Sequence, residues 1–290
     1  MATTTERREH EVIGVRVAGG RWRDDLRAVN VMWRRELIRF SRNRIRILTA
    51  CAQPVVFLFI LGTGLSTVVP GGASGFNYRT FLFPGVLAMT VLFTAIFSAV
   101  SIVWDREFGF LREMMVAPVR RSSVIVGKSL GGATVATLQG SIMLLLMGLV
   151  HIPYSPQLIV ILLTEMILLA FTLTALGLML AARMEQVESF QVVIQFFVMP
   201  MFFLSGAVFP LSRLPGWLAV LTKLDPLTYG VDPLRRAVFA HLSVPAAVTK
   251  ALDPVHWGSW RLPTWFELLV VVVVGLVALT VAVVKFGKTE

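Results

Sequence analysis

The chain has 290 residues, of which 56% are hydrophobic and only 15% are charged, and it carries a formal net charge of +10. A water-soluble domain cannot bury so large an apolar fraction, so the composition excludes that class and favours an integral membrane protein. The single cysteine, Cys51, excludes an internal disulfide and a cysteine-bound metal cluster. We interpret Cys51 as a small buried apolar residue.

The first 44 residues hold much of the positive charge. Met1–Gly20 lacks the apolar core of a cleavable signal peptide, and we expect a mobile basic tail there. Residues 21–44 place apolar side chains at helical spacing with arginines among them, which predicts an amphipathic helix at the lipid headgroups. The apolar positions are Trp22, Leu26, Val29, Trp33, Leu37 and Phe40. Nucleic-acid binding is the alternative reading of the charge, but no recognition motif of that class is present.

Six apolar segments are each long enough to cross the hydrocarbon core of a bilayer, which is about 30 Å thick. We take them as helices, because a lone strand in lipid would leave its backbone groups without hydrogen bonds. The predicted spans are Ile45–Leu65, Phe81–Val103, Ser129–Val150, Leu158–Ala182, Phe190–Pro210 and Phe266–Val284. Most of the lysines and arginines outside the spans fall on the side that includes both termini. This distribution predicts that both termini are cytoplasmic.

A charged stretch, Trp104–Arg121, interrupts the apolar sequence between the second and third predicted spans. It carries apolar side chains at helical spacing, flanked by charged ones, and Pro118 ends the pattern. We therefore predict an amphipathic helix over residues 104–118. Such a helix either docks into a groove on a soluble partner or lies passively on the headgroups, and the pattern alone favours neither.

The segment 211–265, which precedes the last span, is too long for a simple turn and is broken by five prolines. We expect short, half-inserted helices in it, with Trp217 at the outer membrane interface. Plain packing against the ends of the spans is the alternative.

Motifs for nucleotide hydrolysis and for bond chemistry are missing. The nearest approach to a phosphate-binding loop, Val126–Gly132, lacks the upstream glycine and opens a predicted span. The four histidines are scattered, and no set of residues has the spacing of a catalytic or metal site. We therefore predict that this chain is not an ATPase, and we assign no catalytic or metal-binding residues.

Two separated passages resemble the membrane subunits of type-2 ABC exporters, a family that includes daunorubicin-resistance permeases, polysaccharide exporters and the membrane halves of lipid and sterol transporters. Asp105–Gly132 resembles the cytoplasmic loop of that family, with its acidic-glycine-leucine-acidic start, its Pro-Val and its later Gly-Lys. Phe209–Phe239 resembles the external passage after the fifth span. The resemblance implies an all-α fold of six transmembrane helices, with an N-terminal amphipathic interface helix, a cytoplasmic coupling helix and an external re-entrant helical hairpin before the last span.

The resemblance also implies a permease of an ATP-driven exporter that moves an amphipathic drug-like molecule or lipid out across the bacterial cytoplasmic membrane. Two copies of a separate ABC ATPase would bind ATP and magnesium, this chain would bind no cofactor, and a second permease copy, identical or related, would complete the complex. The residues that would couple to the ATPase are Glu107, Phe108, Gly109, Leu111, Arg112, Glu113, Met115 and Pro118.

Polar side chains inside spans are costly, so they are candidates for the substrate pathway or the dimer interface. Together with neighbouring aromatic residues, these candidates are Gln53, Phe57, Glu165, Thr172, Gln191, Gln195, Phe202 and Ser205. Helix packing explains each of them equally well. Three other functions remain open: export of a polysaccharide chain, a membrane enzyme that uses Glu165, and a non-transport scaffold or sensor.

Overall fold

The computed structural model describes residues 22–66, 78–109, 120–211, 215–242, 255–257 and 260–288. Ten α-helices account for most of these described residues: α1 (Trp22–Arg42), α2 (Arg44–Ser66), α3 (Tyr78–Ser98), α4 (Val100–Glu107), α5 (Arg121–Leu144), α6 (Pro156–Ala181), α7 (Val187–Leu204), α8 (Gly216–Leu224), α9 (Thr228–Ala240) and α10 (Thr264–Lys288). A 3₁₀ turn covers Met147–Val150, and two short antiparallel strands, β1 (His256–Trp257) and β2 (Trp260–Arg261), precede α10.

Five helical segments of the described chain are long and apolar enough to cross a membrane. They are Arg44–Gly64 in α2, Tyr78–Glu107 across α3 and α4, Pro156–Ala181 in α6, Val187–Leu204 in α7 and Thr264–Phe286 in α10. Each overlaps one of the predicted spans. The chain is therefore a mostly helical, multi-pass membrane protein, as its composition predicted.

The helix pair α3 and α4 forms the centre of the fold. In its most apolar window 83% of the residues are buried, because α2, α5, α6 and α9 surround it. Close approach requires small residues: a Cβ at Gly85 would lie 2.3 Å from the carbonyl oxygen of Ala207. The corresponding buried shares are only 17% in α2 and 22% in α7. These two helices present wide apolar faces to their surroundings.

The third predicted span, Ser129–Val150, is displaced in the structure. The helix there is α5, which begins eight residues earlier at Arg121, ends at Leu144 and is followed by the 3₁₀ turn; His151 then adopts a positive φ of 60°. Hydropathy placed the span too late because Lys128 reads as a boundary. In the fold Lys128 is buried in ion pairs with residues from other helices, so the helix continues through it. The same polar content keeps α5 out of the five apolar candidates.

A helix end lies inside the segment 104–118 for which one amphipathic helix was predicted. Trp104 belongs to α4, which ends at Glu107, and Gly109 has a positive φ of 78°. Glycine adopts this conformation without a steric penalty, which suits it to the end of a helix. Residues 110–119 lie outside the described residues, so the roles of Leu111, Arg112, Glu113, Met115 and Pro118 stay predictions.

The helix predicted over residues 21–44 corresponds to α1. Some side chains of α1 pack against α5, and others are exposed. Trp33 Nε1 donates to Thr134 Oγ1 at 3.0 Å, and a Cβ at Gly127 would lie 2.7 Å from Met32 Cβ. Glycine in α5 therefore admits α1 at close range. Trp22 and Leu26 remain 70% and 53% exposed. The predicted tail Met1–Gly20 lies outside the described residues.

The segment 211–265, which was predicted to be external, contains α8, α9 and the β1–β2 ladder, with residues 212–214, 243–254 and 258–259 outside the described part. In the turn between α8 and α9, Asp225 Oδ1 accepts a hydrogen bond from Leu227 N at 2.9 Å, and burial raises the pKa of Asp225 to about 7. Tyr229 OH donates to the carbonyl of Lys223 and accepts from Trp257 Nε1 at 3.1 Å. These bonds hold α8, α9 and β1 together.

Candidate functional site

Four charged side chains join three helices beside the last turn of α4. We call Arg35, Glu36, Asp105 and Lys128 the α4 cluster. Asp105 Oδ2 lies 2.6 Å from both Arg35 Nη2 and Lys128 Nζ, and Lys128 Nζ lies 3.7 Å from Glu36 Oε1. Lys128 is only 2% exposed. Two bases face two acids, so the charges balance. The ion pairs that link α1, α4 and α5 are buried at Asp105 and Lys128 and partly exposed at Arg35.

The end of α4 is also attached to the connection between α6 and α7. Glu107 Oε2 accepts a hydrogen bond from Val187 N, the first residue of α7, at 2.9 Å. A carboxylate is favourable there, because the amino end of a helix carries partial positive charge. Arg106 Nη1 donates to the carbonyls of Ala182 (3.2 Å) and Met184 (2.8 Å). Side chains of Arg106 and Glu107 therefore attach the last turn of α4 to the end of α6, to the connection after it and to the first residue of α7.

The three coupling candidates among the described residues differ in their surroundings. Glu107 has the contact with α7, Phe108 is 69% exposed, and Gly109 supplies the left-handed turn that ends the helix. An exposed phenylalanine next to a firmly attached helix end is suited to contact with a partner surface.

Two adjoining cavities have volumes of about 320 and 280 Å³, and the first of them is lined by Glu36 of the α4 cluster. The first lies among α1, α2, α3, α4, α5 and α7, and the second among α1, α2, α3 and α5. They share Phe40, Arg46 and Phe97. Of the pathway candidates, Gln191 lines the first cavity and Gln53 lines the second.

The candidates on α2 and α7 meet at one point. The rings of Phe57 and Phe202 pack edge to face, with centroids 5.5 Å apart. Phe202 is buried by this contact, whereas Gln191 and Gln195 farther along α7 are exposed. The candidates on α7 are thus buried near the end of the helix and exposed nearer its start. Ser205 follows the helix and is 1% exposed, and its Oγ donates to the carbonyl of Phe202 at 2.7 Å.

Thr172 and Glu165 lie on the buried side of α6. Thr172 Oγ1 donates to the carbonyl of Val271 at 2.8 Å, which attaches α6 to α10. Glu165 is 6% exposed, and its Oε2 has no hydrogen-bond partner among the described residues. It lies close enough to Arg236 and Glu267 for electrostatic interaction.

The sequence reasoning missed a second charged cluster, in which α9 meets α10. Arg236 Nη2 lies 2.6 Å from Asp232 Oδ2 and 2.9 Å from Glu267 Oε1, and Arg236 Nη1 donates to the carbonyl of Leu262 at 2.9 Å. With Glu165 these residues form what we call the α9 cluster: Glu165, Asp232, Arg236 and Glu267. The spacing of Asp232 and Arg236, four residues apart on a helix, was a usable signal. The contact with Glu267 was not readable, because it depends on tertiary packing.

Arg235, the neighbour of Arg236, faces the opposite direction. Its guanidinium donates to the carbonyl of Gly206 and lies 4.4 Å from the centroid of the Phe81 ring. Burial lowers the pKa of Arg235 to about 10. Arg235 and Arg236 therefore fasten α9 to two different parts of the helical core.

Comparison with known proteins is consistent with this architecture. The family model described as ABC-2 type transporter matches residues 27–239. The putative transport permease ycf38 of Cyanophora paradoxa is 29% identical over 218 residues, covering 73% of this chain and 74% of the relative. Nodulation protein J of Rhizobium leguminosarum bv. viciae is 30% identical over 211 residues, covering 70% and 79%. The inner membrane transport permease YadH of Escherichia coli K12 is 25% identical over 239 residues, covering 82% and 93%.

The matched region runs from α1 to the end of α9 and so includes the α4 cluster, both cavities and most of the α9 cluster. Members of this family are the membrane subunits of transporters and are not themselves the ATPase. The prediction drawn from the passages 105–132 and 209–239 is confirmed. The chain belongs to the ABC-2 type transporter family and is a transport permease.

Proposed function

We propose that this chain is the permease subunit of an ATP-driven exporter that moves an amphipathic drug-like molecule or lipid out across the bacterial inner membrane. Two separate ATPase subunits would bind ATP and magnesium, and a second permease copy would complete the complex. Membership of the ABC-2 family supports the transport role. Two of the relatives, YadH and ycf38, are named as transport permeases, which supports it as well.

Six spans with both termini cytoplasmic are supported by the position of the helix ends. The last turn of α4 contacts Arg35 of α1, and its Arg106 lies 5.6 Å from the ring of Phe286 near the end of α10. These contacts support a start and an end of the membrane region at one side of the bundle, as an even number of crossings would give. We propose that α5 supplies the sixth crossing, beside the five apolar candidates.

The observation that carries the coupling role is the attachment of α4. This helix leads directly into the charged segment 108–119, and ion pairs or hydrogen bonds join it to α1, α5 and α7. In the proposed mechanism, closure of the ATPase dimer pushes the segment, α4 moves with its attached helices, and the cargo path between the two permeases changes shape. The exposed apolar faces of α2 and α7, with Gln195 and Phe196 among them, are the proposed lining of that path and of the permease interface.

Positive charge introduced into the segment 108–119 tests the coupling role. The variant Leu111→Lys with Glu113→Lys is co-expressed with the candidate ATPase, and copurification and ATP turnover are measured. We expect both to be lost, because an apolar and an acidic contact would be replaced by positive charge.

The matched control is Leu26→Lys with Asp24→Lys. It makes the same kind of change on α1, where Leu26 is 53% exposed and the side chain of Asp24 is 49% exposed. The control should leave copurification intact. Undiminished association and turnover in the Leu111/Glu113 variant would refute the coupling role.

Export of a polysaccharide chain is the second candidate. It is favoured by the exposed rings of Phe196 (74%) and Phe203 (46%) on α7, since aromatic faces suit sugar rings. Stimulation of ATP turnover by a lipid-linked glycan, and not by amphipathic small molecules, would select this alternative.

A further inference from the structure

The two adjoining cavities combine positive charge with an apolar groove. Arg39 and Arg46 both line the first cavity, and the guanidinium of Arg39 is positioned 4.8 Å from the centroid of the Trp104 ring. Among the described residues of that lining, Glu36 is the one acid; it faces Lys128 and also interacts electrostatically with Arg46. Among the described residues, the guanidinium of Arg46 has no ion-pair or hydrogen-bond partner. The first cavity therefore has an excess of positive charge that an anion would balance.

The second cavity continues the first through Phe40, Arg46 and Phe97. Its walls include Ala50 and Pro54 of α2, together with Phe93 and Phe97 of α3, whose rings are stacked with centroids 6.2 Å apart. These walls suit a hydrocarbon chain. The volumes of about 320 and 280 Å³ together fall in the range of small-molecule sites.

We propose that the two cavities hold an anionic membrane phospholipid as a resident ligand. Arg39 and Arg46 bind its phosphate, and part of one acyl chain lies along the groove between α2 and α3. The position fits this ligand, because α2 begins at Arg44 beside the cavity and the amino end of a membrane-spanning helix lies at headgroup level. Charge complementarity selects an anionic lipid over a zwitterionic one.

The lipid would connect α1 to α2, α4 and α7. Two of these helices, α1 and α7, are attached to the last turn of α4, so a resident lipid would stiffen the part of the permease next to the charged segment. Lipid binding goes beyond the proposed function, and it can be measured on the purified permease without the ATPase.

The test uses the purified full chain, freed of native lipid in detergent and incubated with phosphatidylglycerol or with phosphatidylcholine. Native mass spectrometry then measures the bound lipid. We expect selective retention of phosphatidylglycerol, and a loss of affinity on the order of tenfold in Arg39→Gln with Arg46→Gln, because each arginine near a bilayer surface adds to the attraction for anionic lipid.

The matched control is Arg42→Gln with Arg44→Gln, which removes two arginines from the same two helices outside the cavity linings. Affinity in this control should stay within about twofold of wild type, because neither Arg42 nor Arg44 lines a cavity and an exposed charge outside the site contributes little. An equal loss in both double variants would show a general basic surface and overturn the proposal. A second variant, Ala50→Trp, fills the groove without changing charge, and it should also weaken retention; unchanged retention there would contradict the acyl-chain position.

Two further arms identify the source of the phosphate group. Inorganic phosphate should not displace the lipid, and displacement would indicate a site for a free anion instead. In the complex with the ATPase, the bound lipid should remain through ATP turnover. Depletion of the lipid during turnover would make it cargo and overturn its assignment as a resident ligand. Absence of an ATPase partner would count against the proposed function and leave the binding result standing.

Discussion

The α4 cluster and the α9 cluster both join helices through buried charges, but their charges are balanced differently. In the α4 cluster, Arg35 and Lys128 face Glu36 and Asp105, two bases against two acids. In the α9 cluster, Arg236 faces Asp232 and Glu267 with Glu165 nearby, one base against three carboxyl groups. Both clusters contain carboxylate oxygens with no hydrogen-bond partner among the described residues: Glu36 Oε1 in the α4 cluster, and the Oε2 atoms of Glu165 and Glu267 in the α9 cluster.

This difference predicts which residue contributes most to the stability of each cluster. Removing one partner of a buried ion pair leaves an uncompensated charge, which is more destabilising than the pair itself is stabilising. The α9 cluster should therefore depend above all on its single base and tolerate the loss of its surplus acid. The α4 cluster should be sensitive to the loss of an acid as well as a base, because each charge there has a partner.

The largest effect is expected for Arg236→Met. Without the guanidinium, Asp232 and Glu267 lose their ion pairs, and we expect a loss of about 3–5 kcal/mol in the free energy of unfolding. The measurement is the thermal unfolding midpoint of the detergent-purified permease. Arg183→Met, at an exposed position between α6 and α7, is the control. If the two variants unfold at the same temperature, α9 is not held by this cluster.

A somewhat smaller loss, about 3 kcal/mol, is expected for Lys128→Met. Arg35 continues to pair with Asp105, but Glu36 loses its cation and Ser101 Oγ loses its donor. The same unfolding measurement applies, with Lys223→Met on α8 as the control. A loss as large as that of Arg236→Met would remove the distinction drawn between the two clusters.

Glu36→Gln should destabilise by about 1 kcal/mol, since it removes a carboxylate from a balanced set while keeping its shape. Lys128 would then have Asp105 as its remaining acid. Limited proteolysis of α1 provides a second readout, because Glu36 lies on that helix and α1 should detach more readily from α5. If neither the unfolding midpoint nor the proteolysis of α1 changes, the charge of Glu36 does not contribute to stability.

Glu165→Gln should have the smallest effect, within about 0.5 kcal/mol of wild type or slightly stabilising. It removes one surplus acid from the α9 cluster and keeps the volume of the side chain. A comparison of Glu165→Gln with Glu36→Gln in one experiment isolates charge balance, because the chemical change is identical. A larger loss for Glu165→Gln would contradict the account.

Much of the architecture was readable from hydropathy, because an apolar window needs no knowledge of the neighbours. The predicted spans that correspond to α2, α6 and α10 begin within two residues of the observed helices. The position of α5 was not readable, since Lys128 becomes acceptable inside a helix only when Asp105 and Glu36 from other helices neutralise it. Burial of a charge depends on tertiary partners that the local sequence does not reveal.

The candidate site was readable in part. Family resemblance selected Glu107, and the structure attaches it to the first residue of α7, a contact that no spacing along the chain could indicate. Phe57 and Phe202 lie in separate predicted spans, and only packing brings their rings together. The cavity between Arg39 and Arg46 was missed altogether, because its walls come from six helices.

The most direct test of the central claim is ATP turnover by the permease together with its candidate ATPase in lipid nanodiscs, with and without a panel of amphipathic drugs and lipids. The account predicts a stable complex whose ATP turnover responds to at least one amphipathic compound. Failure of the permease to bind any ATPase partner would contradict the account.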